Sequence, residues 1–275
     1  EIHGAFLAPD NSAETFPDQG RLLATLPAAQ LPEGEGQINY ELPLDPGQCG
    51  LKALLAVKGI NRREKDAGFS NIVSVEIADL PDPPSGLAAT LTEQAIHLSW
   101  KEAERSIFGG PAPKPDGYEV YRAEVGSSVA PQMLGTAASP SFEDHAFAFG
   151  PRYVYTVRAF VRRGDSEAVT PSSNQVAVTA TDIFPPAAPQ NLRAITVPGA
   201  IELAWSPNAE SDLAGYHVYR GDGEALVRLN TDLLSLPLYR DSTAKAGIEY
   251  RYTVKAVDRD GNEGPPSEQA IATAE

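Results

Sequence analysis

Cysteine is nearly absent. Cys49 is the only one in 275 residues, which excludes an internal disulfide framework and a metal site built from thiolates. The compartment stays open on that count, because a protein without disulfides can sit on either side of a membrane. Basic charge is scarce: 22 Lys and Arg against 37 Asp and Glu leave a net charge of −15. That balance argues against a phosphate-binding surface, so no nucleic-acid partner is expected. Long apolar runs are missing, and none approaches the ~18 residues of a membrane span. The chain also opens at Glu1 without the charged and apolar stretches of a signal peptide, so a mature or trimmed form is expected. Histidine is confined to His3, His97, His145 and His217. Scattered over different predicted strands, these offer neither a zinc spacing nor a partner for a nucleophile. No Gly-x-Ser-x-Gly elbow, phosphate loop or His-Glu-x-x-His is present; the expectation is a non-enzyme with no cofactor and no metal.

What is present is repetition. Ile96-His97-Leu98-Ser99-Trp100 returns as Ile201-Glu202-Leu203-Ala204-Trp205, and Gly117-Tyr118-Glu119-Val120-Tyr121-Arg122 as Gly215-Tyr216-His217-Val218-Tyr219-Arg220. Phe142-Glu143-Asp144 matches Tyr239-Arg240-Asp241, and the run Tyr153–Ala159 matches Tyr250–Ala256. The offsets are 105, 98, 97 and 97, so one unit is used twice, with a seven-residue insertion before Tyr118. Each block alternates apolar and polar residues and is rich in β-branched and aromatic types, the pattern of half-buried strands punctuated by Gly, Pro, Asp and Asn. No stretch reads as an amphipathic helix of useful length. The fold class is therefore all-β, built of two-sheet sandwiches.

A third, incomplete copy lies upstream. Phe69–Val75 parallels Ser172–Val178, and Asn61-Arg62-Arg63 parallels Val161-Arg162-Arg163. The expected division is an incomplete repeat over 1–80 and full repeats over 81–182 and 183–275. Short proline-rich joints, Leu80–Pro84 and Phe184–Pro189, are semi-rigid spacers, so the repeats are expected to form a stiff rod. In the first repeat, Ile38–Leu42 alternates as a fifth strand (E) should, and Glu1–Phe6 reads as the third strand (C). Strands A and B are then expected to have been removed or to lie upstream. The rival makes Ile2–Phe6 the second strand (B), since Ile2 and Phe6 mimic the spacing of Ile96 and Trp100.

These residues resemble fibronectin type III repeats. A proline-rich lead-in reaches a leucine (Leu87, Leu192), then a strand B tryptophan (Trp100, Trp205) and a strand C tyrosine (Tyr118, Tyr216). The tyrosine of the E–F corner is Tyr153 or Tyr250, and Ala53 stands there in the first repeat. Asp212–Tyr216 and Ala256–Asn262 are similar to the bacterial, secreted variety. The resemblance implies tandem immunoglobulin-like β-sandwiches and an extracytoplasmic location, secreted, periplasmic or anchored at the cell surface.

Four features qualify as possible sites. Arg163-Gly164-Asp165-Ser166 aligns with the tip of the F–G turn, where fibronectin's adhesive repeat presents the same tetrapeptide to integrins. A turn wants Gly-Asp for its own reasons, and the structural reading is preferred. Ile107 and Phe108 lie in the long B–C loop of repeat 2 and either form a recognition surface or brace the joint to repeat 1, which is favoured because both side chains need cover. Tyr121 and Tyr219, on the outward face of strand C, offer an aromatic platform for a sugar. Asp258–Glu263 has closely spaced oxygens but lacks the bidentate acid of a calcium loop, and Asp-Gly-Asn reads as a hairpin turn. The expected role is adhesion, scaffolding or spacing, with a protein or cell-envelope component as partner. The alternatives are accessory modules of a secreted polysaccharide-degrading enzyme, or carbohydrate binding through the two tyrosines.

Overall fold

The structure, a computed structural model, describes every residue except 31–37, 62, 165 and 224. It separates into two compact units, Glu1–Ala180 and Thr181–Glu275. The first unit begins with β1 (Ile2–Leu7), α1 (Phe16–Gln19), β2 (Arg21–Ala24), β3 (Lys52–Ile60), β4 (Asp66–Phe69) and β5 (Val73–Glu76). It continues with β6 (Ser85–Leu91), β7 (Ile96–Lys101), β8 (Gly117–Glu124), β9 (Gln132–Ala137), β10 (Ser141–Asp144), β11 (Arg152–Arg163), β12 (Ser166–Val169) and β13 (Val176–Thr179). The second unit contains β14 (Gln190–Val197), β15 (Ala200–Ser206), β16 (Leu213–Gly221), β17 (Val227–Arg228), β18 (Leu238–Asp241), β19 (Glu249–Asp258) and β20 (Ala270–Thr273).

The two full repeats share one topology. A three-stranded sheet (β10-β7-β6, or β14-β15-β18) packs on a larger antiparallel one (β12-β11-β8-β9 with β13 on β11, or β17-β16-β19-β20). These are fibronectin type III-like sandwiches. Alternation sends Ile96, Leu98 and Trp100 inward from β7, where they meet Tyr118, Val120, Tyr155 and Val157 of the other sheet. The second unit repeats the set with Ile201, Leu203, Trp205, Tyr216, Val218, Tyr252 and Val254. Trp100 stands edge-on to Tyr118 at 5.2 Å and Trp205 to Tyr216 at 5.1 Å, a geometry that suits the quadrupoles of the rings. Neither indole nitrogen has an acceptor, so ring packing holds both tryptophans. The corner tyrosines do what the fold asks: Tyr153 OH accepts from Ala148 N at 3.1 Å, and Tyr250 OH from Lys245 N at 3.3 Å.

A buried ionic knot joins the sheets of each sandwich. Asp144 ends β10, and its Oδ2 accepts from Arg122 of β8 at 2.6 Å and from Tyr155 of β11 at 2.8 Å. In the second unit, Asp241 Oδ2 accepts from Arg220 at 2.7 Å and Tyr252 at 2.8 Å, while Thr243 satisfies Oδ1. The guanidinium also lies over the corner ring, Arg122 on Tyr153 at 4.9 Å and Arg220 on Tyr250 at 4.6 Å. Burial pushes the Tyr155 and Tyr252 hydroxyls up, and the carboxylate they donate to pushes them further.

The first repeat is different in kind. Strand β1 lies between β2 and β3, as β8 lies between β9 and β11, so the third-strand reading of Glu1–Phe6 fits the pairing. The fifth-strand reading of Ile38–Leu42 does not: that segment has no strand structure. The reason is a missing partner. In the full repeats this strand pairs with the tryptophan-bearing one, and no such strand occurs among the described residues of 1–80. The small core of this repeat has moved to the opposite face of the sheet. Phe16 from α1 is fully buried against Ala5, Leu54 and Ala56, with Phe69 edge-on at 5.3 Å. On the face that packs inward in the other repeats, Val57, Val73 and Val75 are exposed.

Two measurements follow. Asp241→Ala strands Arg220 without its carboxylate in a largely buried setting, and is expected to cost about 3–5 kcal/mol in urea unfolding. Tyr250→Phe loses only the corner hydrogen bond and should cost ~1 kcal/mol; equal losses would contradict the knot. In hydrogen exchange, amides of β1, β3 and β5 should exchange faster than those of β16 and β19, because one face of their sheet is open to water. Equal protection would show that this face is covered.

Candidate functional site

The joint between the first two repeats is built from backbone. Asp82 N donates to Arg105 O at 2.8 Å and Ile107 N to Leu80 O at 2.9 Å, and Pro81 bridges Ser106. Ser106 is buried, and the side chain of Ile107 stays 44% exposed, with Phe108 half-buried. The loop meets the joint through main-chain hydrogen bonds, with the Ile107 side chain partly exposed. The F–G turn lies at the same end. Gly164 adopts φ 55°, and a Cβ on it would come within 3.7 Å of the Glu76 carboxylate. Arg163 turns back to donate to the carbonyl of Arg162 at 2.8 Å. Asp165, the third residue of the tetrapeptide, lies outside the described residues.

The outward tyrosines are engaged within their own sheets. Tyr121 OH donates to Glu119 at 2.9 Å and accepts from Arg158, whose guanidinium covers the ring at 4.6 Å. Tyr219 OH donates to Glu263 at 2.5 Å, and Lys255 sits 5.4 Å from its ring centre. Glu263 also receives Lys255 at 2.9 Å and lies 3.0 Å from His217 Nδ1. Burial raises the Tyr219 hydroxyl, and the Glu263 carboxylate adds to this, to about 12. Burial pushes Glu263 up as well, but the hydrogen bonds from Tyr219, Lys255 and His217 outweigh it and hold the carboxyl at about 2. These rings are half-buried members of polar clusters, with their hydroxyls already spent.

Two convergences cross strands that sequence reading kept apart. Asp182, Asp212 and Asp258 each place a carboxylate oxygen within 4.8 Å of the others. Asn262 caps Asp258 with its backbone and side-chain nitrogens, both at 2.8 Å, and reaches Asp182 O at 3.2 Å. Such an all-oxygen set suits a hard cation such as calcium. In repeat 2 the positions of Asp212 and Asp258 hold Lys114 and Val161, so the set belongs to the second unit alone. The hairpin-turn reading of Asp258–Glu263 found only one of its three acids. His97, from β7, and His145, just past the end of β10, each pair with a different oxygen of the exposed Glu143.

No protein-family model matches the chain. Exoglucanase B of Cellulomonas fimi is 30% identical over 202 residues, covering 70% of this chain and 16% of that protein. An amylopullulanase of Thermoanaerobacterium saccharolyticum is 32% identical over 93 residues, covering 33% of this chain and 7% of that protein. The chain therefore spans a small part of the relatives it matches. Among solved structures, a segment of two fibronectin type III domains from chicken tenascin is 18% identical with a TM-score of 0.44, covering 70% of this chain and 99% of that one.

Glu263 yields a pH prediction. A carboxyl held at about 2 when folded and near its ordinary 4.5 when unfolded contributes stability that is complete above the unfolded value and lost as pH falls through the folded one. Glu263→Gln should therefore lower the melting temperature at pH 7. The gap to wild type should close steadily from about pH 5 towards pH 2. A gap that does not change with pH would show that the charge of Glu263 contributes nothing.

Proposed function

We propose that this chain is a non-catalytic, extracytoplasmic spacer and scaffold of the kind that accompanies a polysaccharide-acting catalytic domain. The match to Exoglucanase B supports it, since it runs through 70% of this chain while touching 16% of the enzyme. The amylopullulanase match has the same character: it covers 7% of that enzyme. A region shared with two differently named polysaccharide enzymes, and small in each, is better suited to a common accessory role than to either chemistry. The internal chemistry of the repeats agrees. Their buried charges close onto each other across the sheets, which rigidifies each sandwich.

Adhesion through the Arg163–Ser166 turn is less well supported. Gly164 lies beside Glu76, and a carboxylate there is a poor neighbour for an acidic integrin-type motif. Carbohydrate stacking on Tyr121 and Tyr219 is weakened by the guanidinium and ammonium already on those rings.

The purified chain is expected neither to release reducing sugar from cellulose, starch or pullulan nor to sediment with insoluble cellulose or starch. Sugar release would overturn the non-catalytic reading. Sedimentation lost on Tyr121→Ala or Tyr219→Ala would replace the spacer with a carbohydrate-binding module.

A further inference from the structure

We propose that the open sheet face of the first repeat is a docking groove for a β-strand of another polypeptide, with bulky apolar residues at every second position. Ile2 and Gly4 of β1 stand opposite Val57 and Leu55 of β3, and Val73 of β5 stands on the other side of Leu55. Val57 is 56% exposed and Val73 49%. Along the three strands, the alternate residues that share this face run Ile-Gly-Phe, Ala-Leu-Val-Gly and Val-Val. None carries a charge, in a chain whose net charge is −15.

The other two repeats show what this face receives. Their corresponding pairs are Val120 with Val157 and Arg122 with Tyr155. There the face is buried under the tryptophan-bearing strand, β7 with Ile96, Leu98 and Trp100, or β15 with its counterparts. That strand is also held sideways, by backbone hydrogen bonds to β10 or β18. The first repeat retains both supports without the strand. Ile38 and Tyr40 come from the segment that matches β10, and with Ile2 and Val57 they line a groove of about 420 Å³. Residues 38–42 have no strand partner. An incoming strand would gain apolar cover from the sheet below and backbone hydrogen bonds from this segment, the two sources of affinity in strand addition.

The floor of the groove sets the side chains it prefers. Leu55 and Gly4 replace the tyrosine and arginine of the other repeats, and Ala53 replaces the corner tyrosine. A floor this low leaves room for aromatic or long aliphatic residues on the incoming strand, with polar ones between them facing water.

The core on the opposite face points to a cover that comes from another molecule. Phe16 and Leu54 are fully buried there, so the sheet has an apolar core of its own while the groove stands empty. A sheet permanently covered by its own strands needs no second core. A second copy of this chain has no such strand to lend, because β7 and β15 are locked in their own sandwiches with Trp100 and Trp205 each 6% exposed.

A synthetic peptide with the sequence of residues 85–101, which spans β6 and β7, is the probe for the whole chain. Saturable binding is expected by calorimetry, with slowed hydrogen exchange in β1, β3 and β5. The same peptide carrying Ile96→Ser, Leu98→Ser and Trp100→Ser should not bind. Val57→Asp and Val73→Asp should each weaken binding at least ~10-fold, since the bound strand would bury an unpaired carboxylate. Both positions are exposed, so melting temperatures should stay near wild type. No saturable binding up to millimolar peptide would overturn the proposal, as would equal binding of the serine peptide or slowed exchange confined to repeat 2. A concentration-dependent dimer abolished by Val57→Asp would give the face to a second copy and overturn it as well.

Discussion

One buried carboxylate per sandwich ties its two sheets together. Asp144 and Asp241 each end a strand of the three-stranded sheet and bind an arginine and a tyrosine of the facing sheet. A charge buried this deeply is tolerable only if paired and fully hydrogen-bonded. Each knot meets that condition with a guanidinium, a phenol and the backbone two residues on. The guanidinium then lies over the corner tyrosine, whose own hydroxyl takes a backbone N–H. Sheet spacing, strand order at the corner and tyrosine placement are thereby coupled, and a shift in one strains the rest.

The first repeat shows what happens where the knot cannot form. Leu55 stands where Tyr155 and Tyr252 stand, and Gly4 faces it across the ladder as Arg122 faces Tyr155. With neither phenol nor guanidinium there is nothing to receive a buried aspartate from a second sheet. The apolar residues compensate on the other face, where Phe16 swings in from a four-residue helix over Leu54 and Ala56. The same strand pairing therefore supports a core on either side.

Those pairings were largely legible from the repeats. Alternation assigned Trp100, Tyr118, Tyr155 and their counterparts to the core, where all are buried, because a residue required by packing recurs at the same offset in each copy. Alternation misled at Ile38–Leu42, since period two describes a strand only when a neighbouring strand takes up its hydrogen bonds. The Asp182 and His97 clusters were not legible for the opposite reason. Their members are 30 to 76 and 2 to 48 residues apart, and only the β7–β10 ladder and the turns at the head of the second sandwich bring them together. The outward tyrosines were placed on the right face, but their polarity was hidden. Glu119 and Arg158 are separated in sequence and meet only across the β8–β11 pair.

The outward faces can change chemistry without disturbing the frame beneath. Ile96 and Ile201 are fully buried one residue before His97 and Glu202, so the core side of the strand is held constant while the solvent side varies. Cross-strand register then fixes the separation of whatever stands there, be it an ion pair, as in Arg240 and Glu202, or an imidazole and a carboxylate, as in His97 and Glu143. Function on such a scaffold resides in a few side chains laid over a conserved register rather than in the fold. Two sandwiches with matching core residues can therefore present different surfaces: an all-oxygen cluster at Asp258 of the second unit, where repeat 2 has Val161, and an imidazole–carboxylate pair at His97 and Glu143, where the second unit has Glu202 and Arg240.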